Sequence, residues 1–285
     1  MGYLVIKNLS FFPEQCALNS APVIDALLRS ARAEGIRIQD NSWDADAVLI
    51  WSVLWHGRMR HNQKVYEHYR RHGRPIIIAE VGALKRNHTW KIAIGNVTAD
   101  GYYGHQQDLD ADRPRKLGLI KSRERLPAPH VLIACQHSHS LQMAAVRDQN
   151  AWISQAVAQT RQHTDRPVIV RPHPRSPLSW RPIHSGVTVQ VPCKTPHSYD
   201  DFDLDLACHA VININSGPGI QAAIAGTPVM VDRSSLAAPM SISIQDIEHP
   251  PERDRDQWLI EISHTEYAIP EIEQGLWLKR LRSRL

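Results

Sequence analysis

Cysteine is scarce in this chain: Cys16, Cys135, Cys193 and Cys208 are all there is, and no two stand in CxxC spacing. That excludes a dense disulfide framework and argues against a structural zinc site, so the four read as buried thiols in a reducing compartment. Long apolar runs are missing as well. No stretch approaches the roughly 18 residues that a membrane-spanning helix needs, and no basic leader precedes an apolar core; the expected location is the cytoplasm. GxGxxG is absent, and no lysine follows a glycine turn as a P-loop requires. No DxD pair stands at a strand end, because DFDLD (201 to 205) reads as the acidic first turn of a helix. Neither a metal nor a resident cofactor is expected.

What is present suits two domains. The 285 residues carry a formal charge of +4, unevenly spread along the sequence. Residues 1 to 130 hold 19 Lys and Arg against 13 Asp and Glu, and the remainder 14 against 16. Seven of the sixteen histidines also lie in the first part, so its positive charge grows below neutral pH. Such asymmetry fits a solvated surface or an anionic partner.

Apolar strands alternate with amphipathic helices. In the first half the pattern predicts strands at 3 to 8, 46 to 54 and 75 to 81, and glycine-ended helices at 22 to 35 and 62 to 73, followed by the apolar stretch 90 to 97. A proline-ended polar linker at about 122 to 129 separates a second series. Strands are predicted there at 130 to 136, 167 to 170, 187 to 191, 211 to 215 and 228 to 232, with helices at 144 to 163, 201 to 210 and 219 to 226. The expected fold is α/β, two Rossmann-like domains at 1 to 126 and 127 to 285. Two amphipathic helices anchored by Trp258 and Trp277 end the chain, and the last of them has the option of packing back on the first domain. Parallel sheets of this kind bind ligands at the carboxyl ends of their strands.

Two motifs fall at such ends. In VIVRPHPR (168 to 175), His173 is fixed between Pro172 and Pro174, which remove backbone donors and force extended chain. It suits donation to a phosphate oxygen while Arg171 and Arg175 neutralise charge. In ININSGPGIQAAIAG (212 to 226) a buried strand runs into Ser216, Gly217 and Gly219 and then a small-residue helix, which sets free N–H groups and a positive helix end beside Ser216. Gln221, one turn further, completes the donor-side set. Each motif also reads as plain structure: a histidine packed in a proline turn, and a serine-capped helix.

In order and spacing, RPHPR followed by NSGPGIQAAIAGTPVMV resembles the capsule-type glycosyltransferases, the bacterial β-Kdo transferases and polysialyltransferases of GT-B architecture. IIIAEVGALKR (76 to 86) is similar to their strand ending in an acidic-acidic-Gly turn, and DGYYG (100 to 104) to a tyrosine segment beyond it. The resemblance spans about residues 46 to 232. It implies a nucleotide sugar, UDP- or CMP-linked, on the C-terminal domain and an acceptor on the N-terminal one. His173 and Ser216 with Gly217 to Gly219 then match the donor site, and Glu80 the first acid of the turn. Val81 replaces the second acid, so the base is Glu80 or lies elsewhere, with His56 and Asp100 as candidates. A carboxylate paired with Lys85 or Arg86 is the plainer reading of Glu80.

The loop WSVLWHGRMRHNQ (51 to 63) offers His56, Arg58 and Asn62 beside Trp51 and Trp55. With Arg86 and Asn96 these form the expected acceptor-binding set. The basic first half suits a polyanionic acceptor, either a hydroxymethylated base in phage DNA, slightly favoured, or an acidic capsular glycan. Two alternatives stay open: a sugar-nucleotide 2-epimerase of the same architecture, and a non-catalytic nucleotide- or DNA-binding module.

Overall fold

The computed structural model describes residues 6–107, 109–120, 129–197, 201–203 and 206–285. The chain divides into two compact units, one made of Met1–Arg113 with Ile260–Leu285, the other of Pro114–Leu259. The first unit therefore does not end at residue 126. Arg113 belongs to it because its guanidinium is tied to the Ser263 and Glu266 carbonyls and to the Glu271 carboxylate. Most of the expected linker, residues 122 to 128, lies outside the described residues.

In chain order the strands are β1 (Asn8–Phe11), β2 (Arg37–Asp40), β3 (Ala47–Trp51), β4 (Ile76–Val81), β5 (Trp90–Ile94), β6 (Val131–Ala134), β7 (Val168–Arg171), β8 (Val187–Val189), β9 (Ala210–Asn213), β10 (Val229–Val231) and β11 (Glu266–Tyr267). The helices are α1 (Ala21–Ala33), α2 (Asn62–Arg71), α3 (Arg113–Lys116), α4 (Gln149–His163), α5 (Gly217–Ala225), α6 (Asp256–Ser263), α7 (Ile269–Glu273) and α8 (Leu276–Leu281).

The first unit holds the sheet β11-β5-β4-β3-β1-β2. β1 to β4 pair in parallel, whereas β5 runs antiparallel to β4 and β11 antiparallel to β5. The reversal follows from chain length: a short turn joins β4 to β5, too few residues for the crossover that a parallel pair needs. β3 is buried throughout, as an apolar strand covered on both faces must be. α1 turns Val23, Ile24, Leu27 and Ala31 inward at helical spacing and gives way to Gly35 at φ +82°. β2 and β11 have no counterpart in the predicted elements. RIQD is a half-exposed edge strand with one apolar residue, and β11 is two residues long. β1 lies at 8–11 rather than 3–8, and residues 3 to 5 are outside the described set. The predicted last helix is broken at Gly275, φ +70°, into α7 and α8. Trp277 is fully buried and its indole N–H donates to Ser30 Oγ at 3.0 Å.

The second unit is a parallel five-stranded sheet, β10-β9-β6-β7-β8. α4 begins at Gln149 rather than 144, because Asp148 caps it by accepting from the Asn150 and Ala151 N–H groups. The predicted helix at 201 to 210 does not form among its described residues: Phe202 bridges Lys194, and the Asp203 carboxylate binds Arg171 and the Cys193 N–H. Residues 204 and 205 are outside the described set. All four cysteines are thiols, but only Cys135 and Cys208 are buried; Cys193 is exposed and Cys16 half-buried. Burial pushes Cys135 up to about 12, which leaves it inert. Among the described residues no helix is long and apolar enough to cross a membrane.

Candidate functional site

The strand order of the second sheet reverses between β6 and β9, and ligands of open α/β sheets bind beyond the strand ends at such a switch point. Register sets Ala134, Arg171 and Asn213 level across β6, β7 and β9, so the residues that follow them become neighbours. Asn213 shapes the turn into α5. Its Oδ1 accepts the Ser216 N–H at 2.8 Å, and its Nδ2 donates to the Ala134 carbonyl at 2.8 Å and to Ser216 Oγ at 2.9 Å. Ser216 is thereby held as the N-cap of α5 in extended backbone, with Gly217 as the first helical residue. Aligned N–H groups at that helix end favour an anion.

Behind this turn lies a buried amide pair. The Asn215 N–H donates to Gln136 Oε1 at 2.7 Å, and Gln136 Nε2 returns a bond to Asn215 Oδ1 at 2.8 Å. Asn215 Nδ2 reaches the Gln142 carbonyl and Ser234 Oγ, so one side chain ties together the loops after β6, β9 and β10. Beyond β7, His173 Nδ1 accepts the Arg175 N–H at 3.2 Å, which places the proton of a neutral ring on Nε2. The His173 ring stands edge-on to His137 at 5.1 Å, and His137 lies 5.6 Å from His139. Three imidazoles therefore share the rim that carries Ser216.

This geometry sorts the donor-side expectations. Ser216 and Gly217 stand at the switch point, His173 follows β7 on the other side of β6 with its ring against His137, Arg175 is exposed, and Gln221 is half-buried on α5. Arg171 is committed to the fold instead: it is 4% exposed, with Nη2 2.5 Å from Asp203 Oδ1. Gly219 also departs from expectation. A Cβ there would stand 3.0 Å from Val231 Cγ1 and 3.1 Å from Asn213 Oδ1, so this glycine permits helix-on-sheet packing, not approach of a ligand.

No protein-family model matches the chain, and no curated protein matches it. Solved structures do. Thermosulfurimonas dismutans KpsC, described as a beta Kdo 2,4 transferase, superposes with a TM-score of 0.60 at 13% identity, covering 96% of this chain and 98% of that one. The beta Kdo 2,7 transferase of the same KpsC gives 0.51 at 12% identity, covering 95% and 98%. The fold is GT-B. The likeness extends beyond the stretch 46 to 232 that carries the sequence resemblance.

In the first unit of this GT-B chain, Glu80 occupies the carboxyl end of β4. Ser52, just past β3, donates its hydroxyl to Glu80 Oε2 at 2.7 Å, and the Val53 N–H adds a bond at 3.3 Å. Glu80 Oε1 accepts the Val81 N–H at 2.9 Å. Ser52 holds φ +66°, a conformation costing a non-glycine residue about 1–2 kcal/mol; its bond to Glu80 and the Ser52 N–H bond to the Ala79 carbonyl hold it there. His56 and Arg58 are exposed in the loop after β3, and Arg86 is exposed in the turn after β4, at the same sheet edge. Asn62 and Asn96 do not join them as ligand groups. Asn62 is buried, its Nδ2 committed to the Trp51 carbonyl at 2.7 Å and the Gln15 carbonyl at 3.0 Å. Asn96 follows the far end of β5, where Gly95 pairs with Ile76 at the start of β4, and its Oδ1 accepts the Val97 N–H.

Sequence reasoning misses Gln136, His137 and His139, although QHSHS directly after an apolar strand is a legible signal. It also misses Lys91 and Glu266, for which no local signal exists. The charge asymmetry does not survive either. Counted over the two units, the first holds 18 Lys and Arg against 16 Asp and Glu, the second 15 against 13. Basic residues between 114 and 130 belong to the second unit, and acidic ones beyond 260 to the first.

Proposed function

We propose that the chain is a glycosyltransferase that moves a sugar from a nucleotide-sugar donor to a hydroxyl acceptor. The observation that carries this reading is the carboxyl edge of the second sheet, with Ser216 at the α5 N-terminus after β9 and His173 after β7. An anion cradle and a ring N–H suit the phosphate that departs with the nucleotide. Glu80 is the base in this reading. It takes the proton of the acceptor hydroxyl, whose oxygen bonds to the anomeric carbon while the bond from that carbon to the donor phosphate breaks. The bonding pair leaves on the phosphate, and no covalent enzyme intermediate is needed for an inverting transfer. Three hydrogen bonds hold Glu80 in one orientation, as a general base requires.

For the acceptor we favour a glycan hydroxyl, in keeping with the transferases that share the fold. The alternative of hydroxymethylated DNA rested on a basic first domain, and the even charge of the two units removes that support.

The test is a thermal-shift screen against UDP-, GDP-, CMP- and dTDP-sugars, with His173→Ala and Ser216→Ala alongside. A ligand bound only by the folded state raises the melting temperature. We expect one nucleotide family to stabilise the wild type and each variant to bind it at least about tenfold more weakly, one charge-assisted hydrogen bond being worth roughly that. No shift with any donor would overturn the reading. Release of free nucleotide and an altered sugar without acceptor would indicate the epimerase, and full activity of Glu80→Gln would remove Glu80 from the mechanism.

A further inference from the structure

Behind Glu80 lies a row of charges that no motif announces. Register sets Glu80 on β4 opposite Lys91 on β5, and Lys91 opposite Glu266 on β11. Opposed residues of antiparallel strands share a face, so the three charged side chains lie on one face of the sheet, where the Lys91 ammonium donates to the Val97 carbonyl at 3.4 Å. Glu266 is 0% exposed and Lys91 5%.

Glu266 is also the core of the turn that follows Glu80. Its Oε1 accepts the Ala83 N–H at 2.6 Å, and its Oε2 accepts the Leu84 N–H at 3.0 Å and the Thr89 hydroxyl at 2.7 Å. Gly82 lets the chain close on this carboxylate: a Cβ there would stand 2.4 Å from Glu266 Oε2 and 2.0 Å from the Thr89 carbonyl oxygen. The end of β4 that carries Glu80 is thus wrapped around a side chain supplied by a strand remote in sequence.

We propose that Glu266 positions the Glu80 turn and is the permanent counter-charge of Lys91, so that Glu80 can accept a proton during transfer. The inference rests on the reading of Glu80 as the base. When Glu80 takes the acceptor proton, the row passes from one net negative charge to none, and Lys91 still faces an ionised carboxylate. Without Glu266 the same step would strand a buried ammonium, which is strongly unfavourable. Burial pulls the Lys91 ammonium below its ordinary range, while Glu266 and Glu80 oppose that pull. Among the described residues, Tyr103, from the segment after β5, also couples to Glu266 in this row. Burial and the charge of Glu266 hold its phenol well above the ordinary range, so it stays neutral.

The test measures kcat, KM and the pH dependence of transfer for Glu266→Gln, Lys91→Met and the double variant, with the donor that stabilises the wild type. Glu266→Gln should lose at least about tenfold in kcat with donor KM changed by less than about twofold, the mark of a group acting on the chemical step. Its acid limb should move to lower pH, that of Lys91→Met to higher pH, and the double variant should return towards wild type in both limb and melting temperature. A purely structural role would move neither limb in a charge-dependent direction. Wild-type kcat and pH profile in Glu266→Gln, with Glu80→Gln inactive, would overturn this inference alone. An active Glu80→Gln would overturn both it and the assignment of the base. Should Glu266→Gln fail to fold, unchanged limbs in Lys91→Met and in the double variant would overturn it equally.

Discussion

Single residues decide where the chemistry can sit, and Gly82 is the sharpest case. Its hydrogen leaves room for two oxygens that no methyl group could share, so the requirement for glycine comes from the Thr89 carbonyl and from Glu266, and not from a turn angle. Gly82→Ala should cost at least the roughly 1–3 kcal/mol of an overpacked core site, because one clash is with backbone. Urea titration would read this, and stability within about 0.5 kcal/mol of wild type would show that the turn relaxes freely. Glu80, His173 and Ser216 are legible in the sequence because each sits in a local pattern: an acid ending an apolar strand, a histidine between prolines, a serine before glycines. Glu266 is not, since SHTEYAIP has nothing to mark it before the strand pairing of β11 is known. Asn62 and Arg171 mislead for the opposite reason. Their residue types suit a ligand, but backbone carbonyls in one case and Asp203 in the other already occupy them.

At the scale of elements, long apolar strands and glycine-ended helices are readable, while short or polar pieces are not. β2 and β11 owe their existence to neighbours, and in DFDLD, acidic enough to start a helix, Asp203 is drawn to Arg171 and Phe202 into a bridge to Lys194. The junction after α6 adds a pH dependence. His264 Nδ1 bonds the Ile260 carbonyl at 2.7 Å, and Nε2 accepts the Asp110 N–H at 3.1 Å, which only the neutral ring can do. Burial foremost, with the nearby Arg113 and Arg280 charges, lowers its affinity for a proton below the ordinary 6.5. The unfolded chain therefore binds that proton first as pH falls. Stability from His264 is complete above about pH 6.5 and declines as pH falls through the lower folded-state value, by at most about 1.4 kcal/mol per pH unit. His264→Gln should flatten that part of a stability profile measured by denaturant; an unaltered slope would refute the assignment.

For the whole molecule, the even charge of the two units sets an expectation about polyanions. A surface that neutralises many phosphates loses about 10³–10⁵ in affinity between 50 and 200 mM salt. With a net charge of +2 on each unit, we expect unmodified duplex DNA to bind weakly and without such a slope. Fluorescence titration at the two salt concentrations would measure it, and a steep slope would restore DNA as an acceptor. The two-domain plan itself is legible from the alternation of strands and helices. What alternation cannot convey is that residues 260 to 285 complete the first unit, because that membership is written in Trp277, Glu266 and the partners of Arg113, each remote in sequence from what it touches.

That closure has a consequence for the order of events at the ribosome. Chains emerge from their N-terminus and domains fold as they are completed. The second unit is fully translated while the first still lacks β11, α7 and α8. Until Glu266 arrives, the turn beyond Glu80 has no carboxylate to close upon and Lys91 lacks the charge of Glu266. The unit that carries Ser216 and His173 is therefore free to fold first, and the one that carries Glu80 becomes competent only after residues 260 to 285 have been made.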